Sequence, residues 1–335
     1  MNDYKGNKEF HISIPKNVKM IISILEKNGH EAFAVGGCIR DTILGRKPQD
    51  WDITTSALPC QVKELFHKTI DTGIEHGTVT VMMSRVGYEV TTYRIDGEYN
   101  DSRHPDSVEF TSNLIEDLRR RDFTINAMAY NPTVGLVDAF DGLGDIERKI
   151  IRCVGKPEER FGEDALRILR AVRFSAQLGF EIEEWTMKAI RKLANTLENI
   201  SAERIRVELE KLIISNHPDK LITAYYAGIT KVILPEFDRM MECPQNTPYH
   251  KYNVGEHTIK VMENVPNTKD MRWAALFHDV GKPDSITYDK SEPERMHFYG
   301  HAKKGSEMVP GIMKRLKTLP YGDMAVLQSL TDFKR

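Results

Sequence analysis

The sequence predicts an α+β protein in which a head with a small mixed or antiparallel sheet is followed by a helical second half. Strand-like apolar runs are confined to the first 150 residues, where they alternate with helical segments. After about residue 155, apolar residues recur every three or four positions, the pattern of amphipathic helices. Residues 243–257, rich in Pro, Asn and Gly, indicate a connection into a last helical unit. We therefore expect three domains, residues 1–150, 151–242 and 243–335.

Short patterns assign the elements of the first domain. Residues 15–29 carry a stripe of apolar side chains and predict a helix, and "EAFAV" (31–35) predicts a buried strand. "GTVTVMMS" (77–84) and "GYEVTTYRI" (87–95), joined by a short turn, predict an antiparallel pair. "FTINAMAY" (123–130) predicts a helix with an apolar face. The first domain is thus expected to mix helices with a small sheet.

Three longer runs predict the helices of the second half. They are "GEDALRILRAVRFSAQLGF" (162–180), "EEWTMKAIRKLANTLENI" (183–200) and "SAERIRVELEKLIISN" (201–216). Ser201 is expected to cap the last of these helices, because a hydroxyl can accept a hydrogen bond from a free amide in the first turn.

Composition excludes some classes of function. The chain of 335 residues has a formal net charge of −2, so a nucleic-acid partner would have to bind local basic patches. No apolar run reaches the ~20 residues that span a bilayer, and the polar N-terminus does not resemble a signal peptide. The four cysteines are widely scattered and are expected to be reduced. We expect a cytoplasmic protein without a membrane anchor.

The segment "FAVGGCIRDTILGRKPQDWDITT" (33–55) combines a glycine turn with paired carboxylates. Gly36 and Gly37 follow the predicted strand and precede a short helix, an arrangement that suits a phosphate group, although a plain strand-to-helix turn explains the two glycines equally well. Asp50 and Asp52 would share one face of an extended segment, where two carboxylates favour Mg²⁺ bound together with substrate phosphates. Arg40 would add positive charge at these phosphates; the alternative is an ion pair with Asp41.

Two further stretches carry charged residues at helical spacing. In "LRRRDFTINAMAY" (118–130), three arginines ending at Arg121 are more often a solvated face than a site. In "EDALRILRAVRF" (163–174), Asp164 and Arg167 would lie three residues apart on a helix and could pair with the edge of a base. Arg170 and Arg173 would turn toward phosphate or supporting ion pairs. The alternative is an amphipathic helix stabilised by salt bridges.

These motifs, in this order, resemble those of the class II transfer-RNA nucleotidyltransferases, the family of CCA-adding enzymes and poly(A) polymerases. The resemblance covers roughly residues 20–305 and includes "GGCIRD", "DWD", "RRDFTINA" and "EDALR". It implies that Asp50 and Asp52 are catalytic ligands of Mg²⁺. Glu89, on the predicted strand 87–95, has the chemistry of a third carboxylate, and a solvent-facing position explains it equally well. It also implies nucleotide-binding roles for Gly37, Arg40, Arg121, Asp164, Arg167, Arg170 and Arg173. The segment 94–110 resembles the family's flexible loop for the final adenosine.

A fourth set, His257, the pair His278-Asp279 and His301, resembles the metal site of HD domains, which are divalent-metal phosphohydrolases. Each histidine alone is more often a polar surface residue. HD domains need a further aspartate downstream, and Asp323 and Asp332 are poor candidates. We therefore expect an incomplete HD domain.

The resemblance implies a transferase that binds the 3′ end of transfer RNA and adds CMP, CMP and AMP from CTP and ATP. Charge and position make Arg204, Arg206 and Lys211 candidate RNA contacts, although basic residues of this kind more often form a solvated helix face. An A-adding enzyme or a poly(A) polymerase would share the same head. An HD phosphohydrolase is the alternative from another class. The sequence predicts no oligomeric state.

Overall fold

The computed structural model describes residues 6–7, 10–97, 108–245, 251–289, 291 and 295–317. The chain divides into two compact units, Met1–Asp164 and Ala165–Arg335. The ends of the predicted loop 94–110 are described, whereas its centre, Asp323 and Asp332 lie outside the described residues. None of the helices in the described part of the chain has the length and apolarity that crossing a bilayer requires.

The first unit is built on a sheet with helices before and between its strands. Its helices are α1 (Lys16–Lys27), α2 (Gly37–Ile43), α3 (Pro59–Leu65), α4 (Leu114–Arg119), α5 (Gly142–Arg148) and α6 (Pro157–Glu163). Its strands are β1 (Ala32–Val35), β2 (Asp52–Thr55), β3 (Thr69–Gly73), β4 (Thr78–Met83), β5 (Val86–Thr92), β6 (Arg94–Asp96), β7 (Val108–Phe110), β8 (Met128–Asn131), β9 (Gly135–Asp138) and β10 (Ile150–Ile151).

The seven-stranded sheet has the order β3-β4-β5-β2-β1-β8-β9. Strands β2 and β5 are parallel, and the other neighbours are antiparallel, which confirms the mixed sheet. The predicted pair β4–β5 is also confirmed, with Ser84 and Arg85 as its two-residue turn. Both residues have positive φ, as the tight hairpin turns that match strand twist require. Helix α4 covers the sheet and adds Leu114 and Leu118 to the buried core.

The predicted helix over 123–130 is wrong. Residues Thr124–Asn126 form one 3₁₀ turn, and the chain then continues as strand β8 between β1 and β9. All four residues of β8 are buried, and Met128, Ala129 and Tyr130 place apolar side chains on both of its faces. A short, mostly apolar run of this kind does not distinguish a central strand from a buried helix.

The second unit is helical, as predicted, with short strands in addition. Its helices are α7 (Leu166–Leu178), α8 (Glu184–Leu193), α9 (Ala202–Ile213), α10 (Lys220–Tyr226), α11 (Ile229–Ile233), α12 (Pro235–Met241), α13 (Val254–Asn264), α14 (Lys269–Phe277) and α15 (His301–Arg315). Its strands are β11 (Glu181–Ile182), β12 (Thr287–Tyr288) and β13 (Met296–His297), of which the last two pair antiparallel.

The helix ends of this half differ from the sequence prediction in two places. The predicted helix over 162–180 is broken: α6 ends before Asp164, which is extended with φ −142° and ψ 103°, and α7 begins at Leu166. Gly162 and Asp164 both disfavour a helix interior, but apolar periodicity continues across the break and conceals it. Ser201 occupies the N-cap position of α9, as expected, but its hydroxyl makes no capping hydrogen bond, so the expected bond is absent.

Candidate active site

The turn after β1 requires a glycine for its backbone conformation. Gly36 has φ 83° and ψ −134°, a conformation that costs other residues about 1–3 kcal/mol. A Cβ on Gly36 would lie 3.0 Å from Nη1 of Arg121, whereas one on Gly37 would lie 3.6 Å from Nη2 of Arg40. The closest approach is therefore at Gly36, the first glycine of the predicted turn, and Gly37 begins α2.

Three carboxylates gather beside this turn. Val35, the last residue of β1, pairs with Asp52, the first residue of β2. Ile53 pairs with Val90 on the parallel neighbour, so the preceding residues Asp52 and Glu89 are also adjacent. Asp50 lies two residues before β2 and remains exposed. The sheet thus brings Asp52 and Glu89 together from segments that are far apart in the sequence.

Charge at this point is unbalanced. The pKa of Asp52 is raised, first by desolvation and then by the negative charges of Glu89 and Asp50, while Arg121 opposes the rise. Asp52 keeps an exposed surface despite the protein atoms around its carboxylate. Like charges held this close make the edge of β2 a place where a cation is stabilising. The neighbouring Cys38 is buried, and desolvation together with Asp52 raises the pKa of its thiol to about 12, so the thiol stays protonated.

Arg121 is positioned by a buried acid that the sequence analysis missed. Asp117, on α4, is completely buried and accepts hydrogen bonds from Nε and Nη2 of Arg120 at 2.9 and 2.7 Å and from Thr54 at 3.0 Å. Arg121 Nη2 lies 3.7 Å from the same carboxylate. Burial alone would raise the pKa of Asp117, but the two arginines and Thr54 lower it. The sequence did contain an indication of this contact, because Asp117 precedes Arg120 by three residues and Arg121 by four, the spacing at which side chains on a helix meet.

Arg121 differs from its neighbour in having unused donor capacity. Its Nε is buried and makes no hydrogen bond with any described residue, and its Nη1 lies against Gly36. Arg120, by contrast, is bound to Asp117 through two nitrogens. Of the three consecutive arginines, Arg121 is therefore the one placed at the glycine turn.

Arg40 belongs to an internal network. It is buried, its Nε and Nη2 bind Asp41 at 2.9 and 2.8 Å, and its Nη1 donates to Asn126 at 2.6 Å. Asn126 in turn donates to Asp122 at 3.1 Å. The ion pair with Asp41, the alternative considered for Arg40, is thus present. The network ties α2 to the 3₁₀ turn and fixes the backbone around the glycines.

Two arginines of α7, Arg170 and Arg173, differ in their exposure to solvent. Arg173 is buried and donates from Nε to Glu208 at 2.7 Å, while Arg170 is partly exposed with Nη1 3.8 Å from the same carboxylate. Arg173 is therefore in the supporting ion pair that was one of its two predicted roles. The helical spacing assumed for Asp164 and Arg167 is absent, because Asp164 is extended and precedes α7.

The histidine cluster forms within the second unit. Asp279 is completely buried; its carboxylate lies 3.1 Å from His278 Nε2 and 3.5 Å from Nε2 of both His257 and His301. The ammonium of buried Lys282, which sequence reasoning missed, lies 2.8 Å from Asp279. The four predicted residues are thus brought together by α13, the end of α14 and the start of α15.

Both clusters have donor atoms that suit a divalent cation, but they differ in geometry. Within the described residues, His257, His278 and Asp279 are the single set of three possible ligands whose donor atoms all lie within 4.8 Å of one another. The buried Nε2 atoms of His278 and His301 have no hydrogen-bond partner among the described residues, as expected of metal ligands. Asp50, Asp52 and Glu89 offer only oxygen, the donor type that Mg²⁺ prefers, in a looser arrangement.

Three family models match the chain. The poly A polymerase head domain matches residues 32–152, a probable RNA and SrmB-binding site of polymerase A matches 179–241, and the HD domain matches 248–330.

Among curated relatives, the CCA-adding enzyme of Lactiplantibacillus plantarum is 52% identical over 223 residues, which are 67% of this chain and 53% of that protein. The enzyme of Pediococcus pentosaceus is 46% identical over 250 residues, 74% of this chain and 61% of that protein. The chain therefore spans only about half to three fifths of the length of these relatives.

Solved structures of CCA-adding enzymes also resemble this chain over most of its length. The Bacillus stearothermophilus CCA-adding enzyme in complex with CTP has a TM-score of 0.59 and 30% identity, covering 93% of this chain and 80% of that one. The Thermotoga maritima CCA-adding enzyme complexed with tRNA has a TM-score of 0.64 over 97% of this chain and 80% of that one. At 22% identity, the latter supports the fold alone.

Proposed function

From the premise that this chain belongs to the family of CCA-adding enzymes, we propose that it adds CMP, CMP and AMP to the 3′ end of transfer RNA from CTP and ATP, releasing pyrophosphate. The observation that carries the proposal is the unbalanced carboxylate group at Asp52, which faces Arg121 beside the Gly36 turn. Such a place can accept a cation together with the phosphates that the cation binds.

Asp50 and Asp52 are proposed to hold Mg²⁺, with Glu89 adjacent as a third carboxylate. When bound there, the cation would neutralise phosphate charge and lower the pKa of an attacking hydroxyl. Arg121 has the free donor capacity to bind a phosphate or the nucleotide itself, and Asp117 holds its guanidinium in place. Arg40 and Asn126 keep the turn rigid, so that backbone amides at Gly37 can approach a phosphate closely.

Asp164, Arg167 and Arg170 are proposed to select the nucleotide, with Arg173 in support. Arg167 and Arg170 keep accessible surface on α7, whereas Arg173 is enclosed. The RNA would be recognised through shape and backbone rather than sequence. On α9, Lys211 is exposed, but Arg206 already donates to the backbone oxygen of Lys317 at 2.8 Å. Lys211 is accordingly the better candidate of the two for a phosphate contact.

Incubation with transfer RNA ending before CCA, before CA or before A, with each nucleoside triphosphate singly, tests the proposal. CTP should be incorporated on the first two substrates and ATP on the third. Incorporation of ATP alone would instead identify an A-adding enzyme or a poly(A) polymerase, an alternative that the match to the poly A polymerase head keeps open. Absence of any incorporation would reject all three.

The histidine cluster supports a second candidate function, metal-dependent phosphate-ester hydrolysis. His257, His278, His301 and Asp279 are proposed to hold a divalent metal, whose bound water would become more acidic. Hydrolysis of a phosphomonoester that requires added Mn²⁺ or Ni²⁺ and is abolished by His278→Ala would support this activity. Hydrolysis that survives His278→Ala would refute this assignment.

A further inference from the structure

Lys282 is a buried lysine at the edge of the histidine cluster. Its side chain is 5% exposed, and its ammonium lies 2.8 Å from Oδ2 of Asp279. The same ammonium lies 5.4 Å from the ring centroid of Phe298, so an aromatic face covers it as well. Because lysine is rarely buried without a partner, the enclosed charge beside the carboxylate needs an explanation.

A hydrogen bond outside the cluster fixes the position of this ammonium. Lys282 Nζ donates to Oε1 of Gln245 at 2.6 Å. Gln245 is itself buried, and its Nε2 donates to the backbone oxygen of Tyr252 at 3.0 Å, which orients the amide so that its oxygen meets the lysine. The positive charge is therefore held next to Asp279 by the connection that precedes α13.

The ammonium and a metal ion would use one carboxylate oxygen. Oδ2 of Asp279, the atom beside Lys282, also lies 3.1 Å from Nε2 of His278 and 3.5 Å from Nε2 of His257. A cation held by these two imidazoles and the aspartate would approach the atom that the ammonium already contacts. Since two positive charges repel more strongly where burial excludes water, Lys282 opposes the binding of the metal.

The same charge favours an anion once a metal is bound. Histidines bind metals in their neutral form, so among the four predicted ligands only Asp279 supplies negative charge. Lys282 offsets this charge, which leaves the double positive charge of a divalent ion for a further ligand. A phosphate group has the charge and the acceptor oxygens that suit such a place.

We propose that Lys282 weakens metal binding at the histidine cluster and strengthens the binding of a phosphate group to the metal-loaded cluster. The inference rests on the second candidate function, phosphate-ester hydrolysis, and goes beyond it by naming a residue that sets both affinities in opposite directions. It also explains why a charged side chain is enclosed beside the ligands, where a neutral one of the same length would let the metal bind more tightly.

Lys282→Met in the full chain tests the proposal, because methionine removes the charge and keeps most of the length. Each protein is treated with a chelator and titrated with Mn²⁺ by isothermal titration calorimetry, and binding that His278→Ala lacks is assigned to the cluster. The dissociation constant of this Mn²⁺ should fall at least about tenfold in Lys282→Met, whereas the loss of a merely supporting neighbour would raise it. At saturating Mn²⁺, the dissociation constant of inorganic phosphate at the cluster should rise at least about fivefold.

Lys260→Met is the matched control. Lys260 lies on α13, the helix of His257, but it is exposed and pairs with Glu263 at 2.7 Å. Both dissociation constants should stay within about twofold of the wild-type values, because a solvent-screened charge contributes little.

Lys282→Gln is a second neutral variant that guards against a folding defect. Its amide can still donate a hydrogen bond, so the buried oxygen of Gln245 keeps a donor within reach. The two dissociation constants should change in the same directions as in Lys282→Met. Thermal unfolding with and without Mn²⁺ is recorded for every variant.

The outcomes separate this inference from the function on which it rests. A wild-type chain without Mn²⁺ binding that depends on His278 overturns the metal site and the second candidate function. Mn²⁺ binding that is equal or weaker in the neutral variants overturns the role of Lys282, and so does unchanged phosphate binding. If neither neutral variant folds, Lys282 serves stability and the proposal fails.

Discussion

The edge of β2 and the α7–α9 contact treat buried charge in opposite ways. At β2, desolvation raises the pKa of Asp52, and the neighbouring Glu89 and Asp50 raise it further against the opposing charge of Arg121. At α7–α9, the carboxylate of Glu208 accepts from Arg173 and lies 3.8 Å from Arg170. The first region places like charges side by side, whereas the second pairs opposite charges.

This difference indicates which region gains from a bound cation. Neighbouring carboxylates gain stability from a bound metal ion, whereas a carboxylate that is already paired with arginines does not need one. Asp117 is of the second kind, since Arg120 and Arg121 lower its pKa against the effect of burial. Charge balance therefore distinguishes a binding place from a structural ion pair better than the number of charges does.

The largest expected effect is the loss of transfer in Asp52→Asn. Nucleotide incorporation should fall by about 10³-fold, since a metal ligand supports several kcal/mol of transition-state stabilisation. The melting temperature should stay the same or rise slightly, because the variant no longer carries a desolvated charge beside Glu89 and Asp50. Asp71→Asn, which breaks an exposed pair with Lys63, is the control for a lost surface charge. Destabilisation of Asp52→Asn would contradict the unbalanced charge.

Asp117→Asn should have the opposite profile, with a large loss of stability. Removing one partner of a buried ion pair costs about 3–5 kcal/mol, here because Arg120 and Arg121 are left without their acid. Denaturant unfolding at neutral pH measures this loss, and transfer should fall as well because Arg121 is released. A variant as stable as the wild type would show that Asp117 does not neutralise the arginines.

The same residue gives a pH dependence of defined sign. Because the folded-state pKa of Asp117 is lowered, its stabilisation is complete above the unfolded-state pKa and is lost as pH falls through the folded-state value. The difference in unfolding free energy between wild type and Asp117→Asn should therefore shrink as pH falls below about 4. A constant difference down to pH 2 would contradict the lowered pKa.

Gly36→Ala should reduce transfer by about 10- to 100-fold, since a Cβ there meets Arg121 and displaces it. Gly45→Ala is the matched control: Gly45 also has positive φ, but its Cβ would meet nothing within 4 Å. Both variants should lose some stability through backbone strain, and only Gly36→Ala should lose transfer beyond that. Equal transfer by the two variants would show that Arg121 does not contribute to the transfer site.

His278→Ala should have the smallest effect on transfer. The metal content measured on purified protein should fall at least about tenfold, while CMP incorporation stays within twofold of the wild type, because the histidine cluster and the carboxylate group are separate donor sets. A matched change in the second unit, His217→Ala, should leave both quantities unchanged. Loss of transfer in His278→Ala would show that the two sites depend on each other.

Sequence patterns erred where tertiary context decides. Residue type and spacing singled out Asp50 and Asp52, and the resemblance to HD domains singled out His257, His278, Asp279 and His301; the roles of these residues stay predictions. Apolar periodicity concealed the break at Asp164 and led to the wrong prediction of a helix where strand β8 lies, because periodicity reports only on neighbouring positions. Glu208 was not named, since only the packing of α9 on α7 shows that an acid on an apolar stripe has a partner.

The sequence by itself determined which chemical groups are present and which local elements carry them, because residue type and short-range periodicity are encoded in adjacent positions. The tertiary structure decided which charges meet. It placed Glu89 beside Asp52, bound Arg40 to Asn126, and enclosed Arg173 while leaving Arg170 accessible. Contacts between distant segments depend on strand register and helix packing. Those contacts determine which charges are paired and which remain able to bind a ligand.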